Sequence, residues 1–479
     1  MTEASKAAER QVDPKLILAL CSGATFIAFL DLSVVNIAFP QILKHFPGTS
    51  IDALTWIVSG YAVMFAALLT PGGRIADTLG RTKIFLGALT GFTLASMVCG
   101  AAPSVDWLIV GRFVQGGMAA GMIPAALGLI LSTTPRERIP AAIGAWSAAA
   151  GFSAVVGPAI GGVLLEAFGW RSVFFINGPI GLVLLLAGVA LLPRHLPAPG
   201  TRLPDPVGTV ALALGIASVV TALTEGDKWG WGSGRTIGLG VVGLVLLVGT
   251  WLRSRRHAAP AIDVALWQSR KYTTCNSALA VLGVSMFAWM LGGPLFTTSI
   301  WHWSTLQTAG ALSIGAVASM ITSLIAGSIK TPAAQRWTAV LGCLLFAASS
   351  AIWASGLFGA QSDFWGGWVP SALLGGSGLG LALTCLSAAA AAAVPPLRFA
   401  AGIGMTLTAR QLGGALGAAM LAAIIASSAV PGNVASFHHV YAAGTVIAVV
   451  AAVLAAAVVT PKPAEVPATA TSAPAQPQA

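Results

Sequence analysis

The chain has 479 residues, of which 56% are hydrophobic and only 8% charged, with a mean hydropathy of +0.85. A soluble domain carries about a quarter charged residues, so this composition excludes an ordinary water-soluble enzyme or binding module and places the chain in lipid. The net charge of +10 would suggest a nucleic-acid partner in a soluble protein; here its distribution along the chain argues for no nucleic acid and for a charged membrane face.

Residues 1–15 are polar and read as a cytoplasmic tail rather than a cleavable signal. Apolar runs long enough to cross a bilayer follow at 16–40, 53–73, 84–102, 107–131, 140–165 and 171–192. The Pro-rich PRHLPAPGTRLPDP then leads to two more, at 207–224 and 236–252. The basic RSRRH introduces IDVALWQSRK, a segment expected at the inner interface. Six further spans follow at 273–300, 308–328, 338–357, 366–394, 400–429 and 440–459, and the Pro/Ala/Thr-rich 461–479 reads as a disordered cytoplasmic tail. The expected architecture is an all-α polytopic membrane protein of fourteen spans. Residues 16–194 form one six-helix bundle, 195–271 a linker with an inserted helical pair, and 272–460 a second bundle, as in transporters built from parallel repeats.

An even number of spans puts both termini on one side, and Lys/Arg bias says which. With cytoplasmic ends, nineteen of the 25 basic residues fall on inner segments, and four (Lys44, Arg171, Lys228 and Arg235) fall on outer loops. The protein is therefore expected in the cytoplasmic membrane, as a monomer. Its five cysteines are odd in number, without paired spacing or a His/Cys cluster, so neither a disulfide, a metal nor a cofactor is expected, and packing accounts for them.

The first span carries Asp31 far from either end. A charge at that depth costs about 2.5–3.5 kcal/mol on insertion scales, and such a residue normally faces a bundle interior and serves function. Asp31 lies roughly 13 Å along the helix from Pro40, and Arg112 in span four roughly 8 Å from the start of its own span, so the two share a depth. Burial and a nearby cation push a carboxylate in opposite directions, which suits a proton-coupled exchanger; a static ion pair is the plainer alternative. Arg410, in span thirteen, has no acid within the spans of its own bundle; it is either structural or a receiver for an anionic group. Glu166 and Glu225 fall at outer span ends, where solvated roles are expected.

Five segments stand in order through the first half. LDLSVVNIAFP contains Asp31, Asn36 and Pro40. GGRIADTLGRTK contains Gly73, Asp77, Gly80 and Arg81. GRFVQGGMAAG supplies Arg112 and Gln115. GFSAVVGPAIGG supplies Gly151, Gly157, Pro158, Gly161 and Gly162, and WRSVFFINGPIG opens span six. Together they resemble the major facilitator superfamily, and within it the fourteen-helix drug:proton antiporters, over residues 16–460. Thr78 and Thr82 stand where that family's inner loop usually has basic residues. The second-half counterpart, GSIKTPAAQRW, lacks the acid and the glycines, and SIWHW departs from the usual pattern at His302.

The resemblance implies the major facilitator fold, with spans one and four adjacent and Asp31 with Arg112 coupling protons. It also implies an inner gate at Gly73, Asp77, Gly80 and Arg81, and a fifth helix that seals the two bundles together. Asp77 can cap a helix N-terminus or meet an Arg of the other bundle. Gly157 and Gly161 form a small-xxx-small packing face, repeated at Gly376/Gly380 and Gly413/Gly417. A deformable pocket near the midplane would draw on Phe26, Phe29, Asn36, Gln115, Met286, Phe287, Trp289, Met290, Phe296 and Arg410. The expected function is proton-coupled export of lipophilic or cationic small molecules. A same-fold exporter of one specific metabolite is the alternative, and a non-transporting receptor a further one. No G-x-x-x-x-G-K-[ST] loop is present to suggest direct ATP drive, and no clustered catalytic groups suggest an enzyme.

Overall fold

A computed structural model of the protein describes residues 13–47, 49, 51–193, 203–427 and 433–459. The expected disordered tail at 461–479 lies outside them, as do the side chains of Asn36 and Pro158. The first bundle comprises α1 (Pro14–His45), α2 (Ile51–Leu79), α3 (Arg81–Gly100), α4 (Val105–Thr133), α5 (Ile139–Phe168), α6 (Ser172–Phe175) and α7 (Asn177–Leu191). The inserted pair is α8 (Pro206–Trp229) and α9 (Gly234–Ser254), followed by the short α10 (Val264–Trp267). The second bundle comprises α11 (Arg270–Ser299), α12 (Thr305–Gly327), α13 (Pro332–Ala354), α14 (Val369–Ala391), α15 (Phe399–Ser427) and α16 (Val434–Ala456). Among the described residues fourteen spans are long and apolar enough to cross a membrane, α6 and α7 together making the sixth.

Helix starts follow local chemistry. Asp13, Ser104, Asp205, Ser233, Ser269, Ser304, Thr331 and Asn433 each cap a first turn with the side chain accepting from a backbone N–H. Asp205 also receives both nitrogens of an Arg253 fork, one at 2.9 Å. That guanidinium holds the Asp205 carboxyl well below the usual carboxylate range, at about 2. It ties the start of α8 to the end of α9.

Helices run past the hydropathy limits because backbone hydrogen bonds do not stop at the apolar boundary. The segment containing Asp77, expected as a turn, is the last turn of α2. The turn itself is Gly80, whose φ of 102° ends one helix and starts the next.

Within the first bundle α2 packs on α4, α3 on α4, and α1 on α5 and α7; within the second, α11 packs on α15 and α16, and α13 on α14 and α16. Glycines set the closest approaches: a Cβ on Gly413 or Gly417 would stand 2.0 and 2.1 Å from carbonyls of α11, and one on Gly376 would stand 2.0 Å from the Gly315 carbonyl of α12. The bundles meet along α2 with α15 and α5 with α12, and α8 leans on α2 and α15.

Two packing expectations change. Gly157 and Gly161 face α1, against Ser33 and Val34, rather than the other bundle. The α5–α12 seam instead uses Gly144, whose added Cβ would meet the Ser323 carbonyl at 2.6 Å, and Gly151, against Met320. A small-xxx-small pair predicts close approach but not the partner. Glu225, expected in solvent, is 2% exposed, because α8 lies against α2 and Trp231 folds over the neighbouring Gly226. Lys228 meets it at 3.2 Å.

Candidate functional site

Asp31 on α1 is 1% exposed and sits among four helices of the first bundle. Its Oδ2 accepts from Arg112 Nη1 on α4. Its Oδ1 accepts from Gln115 Nε2 and from Asn177 Nδ2, both at 2.9 Å. Arg112 is held in turn by the Ile57 carbonyl of α2, which accepts from Nε at 2.8 Å, and by Gln115 Oε1 at 2.9 Å. The Tyr61 ring lies 4.4 Å from the guanidinium carbon, in cation–π range. Asn177 also donates to Ser96 Oγ at 2.9 Å, and Ser96 donates to the Phe174 carbonyl.

The sequence dictates this convergence. Arg112 and Gln115 are three apart on α4 and share a face. Asn177 opens α7 immediately after the break at Ile176 that separates it from α6, which aims it inward. The ion pair is electrically neutral overall, and Arg112, Gln115, Ser96 and Asn177 are all 0% exposed. Neutralisation of Asp31 would remove the counter-charge of Arg112 and weaken the three bonds that Asp31 accepts, from Arg112, Gln115 and Asn177. The two charges expected at one depth are in direct contact. Asn177, Ser96 and Tyr61 do not stand out in the sequence; an amide beside Gly178-Pro179 in an otherwise apolar window is the available signal for the first.

A second constellation joins the bundles at the end where the Arg-rich turns gather. Asp77 accepts from Arg81 Nε at 2.7 Å and from the backbone amides of Ala400 and Ala401 at 3.3 and 2.7 Å. It thus caps α15 from across the molecule. Arg81 also donates to the carbonyls of Gly128 and Pro396. Gly73 permits the approach, since an added Cβ would stand 2.1 Å from the Ala400 carbonyl oxygen. Above it the hydroxyls of Thr70 and Thr408 meet at 2.8 Å. Beside it Asp263 receives Arg398 at 2.9 Å and lies 3.6 Å from Arg74. Of the two partners expected for Asp77, it is the helix N-terminus that it meets.

The residues expected to line a substrate pocket disperse. Phe26 and Phe29 are half-buried on α1, with Phe26 stacked on Phe152 at 5.8 Å. Gln115 belongs to the Asp31 set and has no exposed surface. Met286 is buried in the core, and Trp289 packs edge-on to Phe346 inside the second bundle. Phe296 is fully buried at the centre of an aromatic cluster with Trp301, Trp353, Phe358 and Phe437. Met290 is 48% exposed. Phe287 is half-buried, with its ring close against Gly414 of α15, and Arg410 lies on the same helix. Gly162 faces open space.

Known proteins agree with this architecture. The chain is 32% identical over 417 residues to the tetracenomycin C resistance and export protein of Streptomyces glaucescens, covering 86% of this chain and 76% of that protein. It is 33% identical to the puromycin resistance protein pur8 of Streptomyces alboniger (84% and 80% covered), and 28% identical to a multidrug resistance protein B homolog of Mycobacterium tuberculosis (85% and 75%). The fold matches the crystal structure of the human organic anion transporter MFSD10 (TETRAN) with a TM-score of 0.65 at 13% identity, over 91% of this chain and 99% of that one. The Major Facilitator Superfamily profile covers residues 21–418, and the chain belongs to that superfamily.

Proposed function

We propose that the protein is a proton-coupled exporter of lipophilic small molecules, acting by alternating access with both termini on the cytoplasmic side. One observation carries the reading: a titratable acid, Asp31, is buried in the bundle with a single cationic partner and two amide donors drawn from α4 and α7. An acid at that depth is a functional group by default.

The mechanism follows from charge. In this conformation the Arg-rich end, taken as cytoplasmic from its Lys/Arg excess, is closed by Asp77 and Arg81 against α15. Access to Asp31 then comes from outside. A proton arriving there cancels the charge that holds Arg112, releases the four-helix set and favours rearrangement of the first bundle. Loss of that proton on the cytoplasmic side restores the pair, and cargo moves the opposite way. Binding differentially to two states is what lets a proton shift the equilibrium between them. Export fits the names of the relatives, which concern antibiotic and multidrug resistance. Two of them concern a single compound, which favours a second reading in which one antibiotic-like metabolite is the cargo.

Flux of ethidium from proteoliposomes under an imposed pH difference tests the proposal. Wild-type protein should transport in proportion to the gradient, and Asp31→Asn should insert normally but lose the gradient-driven component. Flux indifferent to the pH difference in the wild type, or retained in the variant, refutes the coupling. A drug-susceptibility panel in cells with and without the chain, repeated with an uncoupler, separates broad from single-compound export.

A further inference from the structure

Arg410 stands eleven residues into α15 from Phe399, so it lies roughly 16 Å along the helix, about half the depth of a 30 Å hydrocarbon core. Three and four residues before it, Leu407 and Thr406, together with Ile403, line a void of about 20 Å³ between the bundles, facing Leu127 of α4 and Trp146 of α5. Residues three and four apart share a helix face, so Arg410 lies on the face of α15 that lines this void, one turn further out. Four residues beyond it, Gly414 is covered by the Phe287 ring of α11, 2.7 Å from where a Cβ would stand. Along this helix face Arg410 therefore stands between an apolar cover at Gly414 and the inter-bundle void at Ile403, Thr406 and Leu407.

Its charge is uncompensated. Nε is fully buried without a hydrogen-bond partner, and among the described residues no hydrogen bond or ion pair reaches the guanidinium. Asp363 is the sole acid between residues 270 and 459, and it is spent capping the turn at Gly366. Asp31 and Asp77 are held by Arg112 and Arg81. Arg112, the other mid-span cation, also has a partnerless nitrogen, Nη2, but its charge is neutralised by Asp31 and it is 0% exposed. Arg410 is only partly buried, so the guanidinium is accessible while its Nε stays unpaired; an anionic group entering from the inter-bundle space would supply the missing partner in the planar, bidentate geometry a guanidinium favours.

We propose that Arg410 anchors a carboxylate or phenolate of the cargo, so that the preferred substrates are lipophilic acids or zwitterions rather than simple cations. This deepens the export reading and rests on it for the word cargo, but the anchor itself is tested by binding alone. Rhodamine B, which carries a free carboxylate, and its ethyl ester, which does not, share one apolar body. Their affinities are measured by fluorescence anisotropy on protein in lipid nanodiscs, with empty nanodiscs as the blank. The wild type should bind the carboxylate about tenfold or more tighter than the ester, as expected of a desolvated charge-assisted pair. Arg410→Gln should reduce that ratio to near one, and Arg410→Lys, which keeps the charge but not the fork, should retain part of it. A wild-type ratio at or below one, no saturable binding of the carboxylate, or an undiminished ratio in a monodisperse Arg410→Gln overturns the anchor. Absence of gradient-driven flux with the ratio intact would count against export and leave the anchor standing.

Discussion

The carboxylate of Asp77 accepts a 2.7 Å hydrogen bond from the backbone amide of Ala401, 324 residues further along the chain. A single acid on the last turn of α2 thus satisfies the exposed N–H groups at the start of α15 and opposes the positive end of its dipole. Arg81 completes the contact by reaching the Pro396 carbonyl. The charged part of this closure is thus concentrated on one carboxylate, which makes it accessible to a single substitution.

Asp77→Asn keeps one acceptor but removes the charge and points an amide donor at N–H groups that are themselves donors. Charge-assisted bonds are worth about 1.5–3 kcal/mol, and 1.4 kcal/mol is roughly a factor of ten in an equilibrium. Cysteines placed at Thr70 and Thr408, whose hydroxyls now meet at 2.8 Å, report the closed state by disulfide formation in a background without the native cysteines. Their cross-linking rate should fall at least severalfold when Asp77→Asn is added. An unchanged rate would mean that apolar packing of α2 on α15 holds the end shut without the acid.

Glycine substitutions test the same closure by volume instead of charge. A methyl group on Gly73 would collide with the Ala400 carbonyl, backbone against backbone, and nothing flexible can yield. Gly73→Ala should therefore separate α2 from α15, lower the Thr70–Thr408 cross-linking rate and reduce ethidium efflux by roughly tenfold or more, since overpacking a tight contact costs about 1–3 kcal/mol. Gly162→Ala belongs to the motif with Gly157 and Gly161 but meets open space, and its efflux should match the wild type. Equal losses in the two variants would place the effect in helix propensity rather than at the seam.

The features legible from sequence were those that violate the solvent. Fourteen spans could be counted because length and hydropathy answer directly to bilayer thickness, and Asp31 and Arg112 stood out because charges in hydrocarbon are rare. Uncharged polar residues carry no such signal. Asn177 lies 146 positions from Asp31 and reads as an ordinary member of its motif until α7 is folded against α1 and α3. Glu225 reads as solvated from its place at a span end, and it is the lean of α8 on α2 that buries it. The direction that Gly157 and Gly161 face was equally hidden, since periodicity gives a helix face but not what covers it. The aromatic residues expected in a pocket do not gather in one place, for a related reason. Phe296 and Trp289 fill the interior of one bundle, where large rings contribute most to packing.

Asn177 gives the sharpest test of whether the buried polar set acts as one unit. Its amide donates to Asp31 Oδ1 and to Ser96 Oγ, both at 2.9 Å, while Gln115 donates to that same Asp31 oxygen. If Asn177 serves by positioning the carboxylate, Asn177→Ala should slow gradient-driven efflux about tenfold, the cost of one buried hydrogen bond to a charged group. Ser96→Ala removes only a neighbour of that bond, so its effect should stay within about threefold. The double variant Asn177→Ala with Gln115→Ala decides the point. Both donors serve one oxygen, so their free-energy effects on efflux should be markedly non-additive, as coupled neighbours are. Simple additivity, or equal losses from Asn177→Ala and Ser96→Ala that follow thermal stability, would assign Asn177 to helix packing and remove it from the machinery around Asp31.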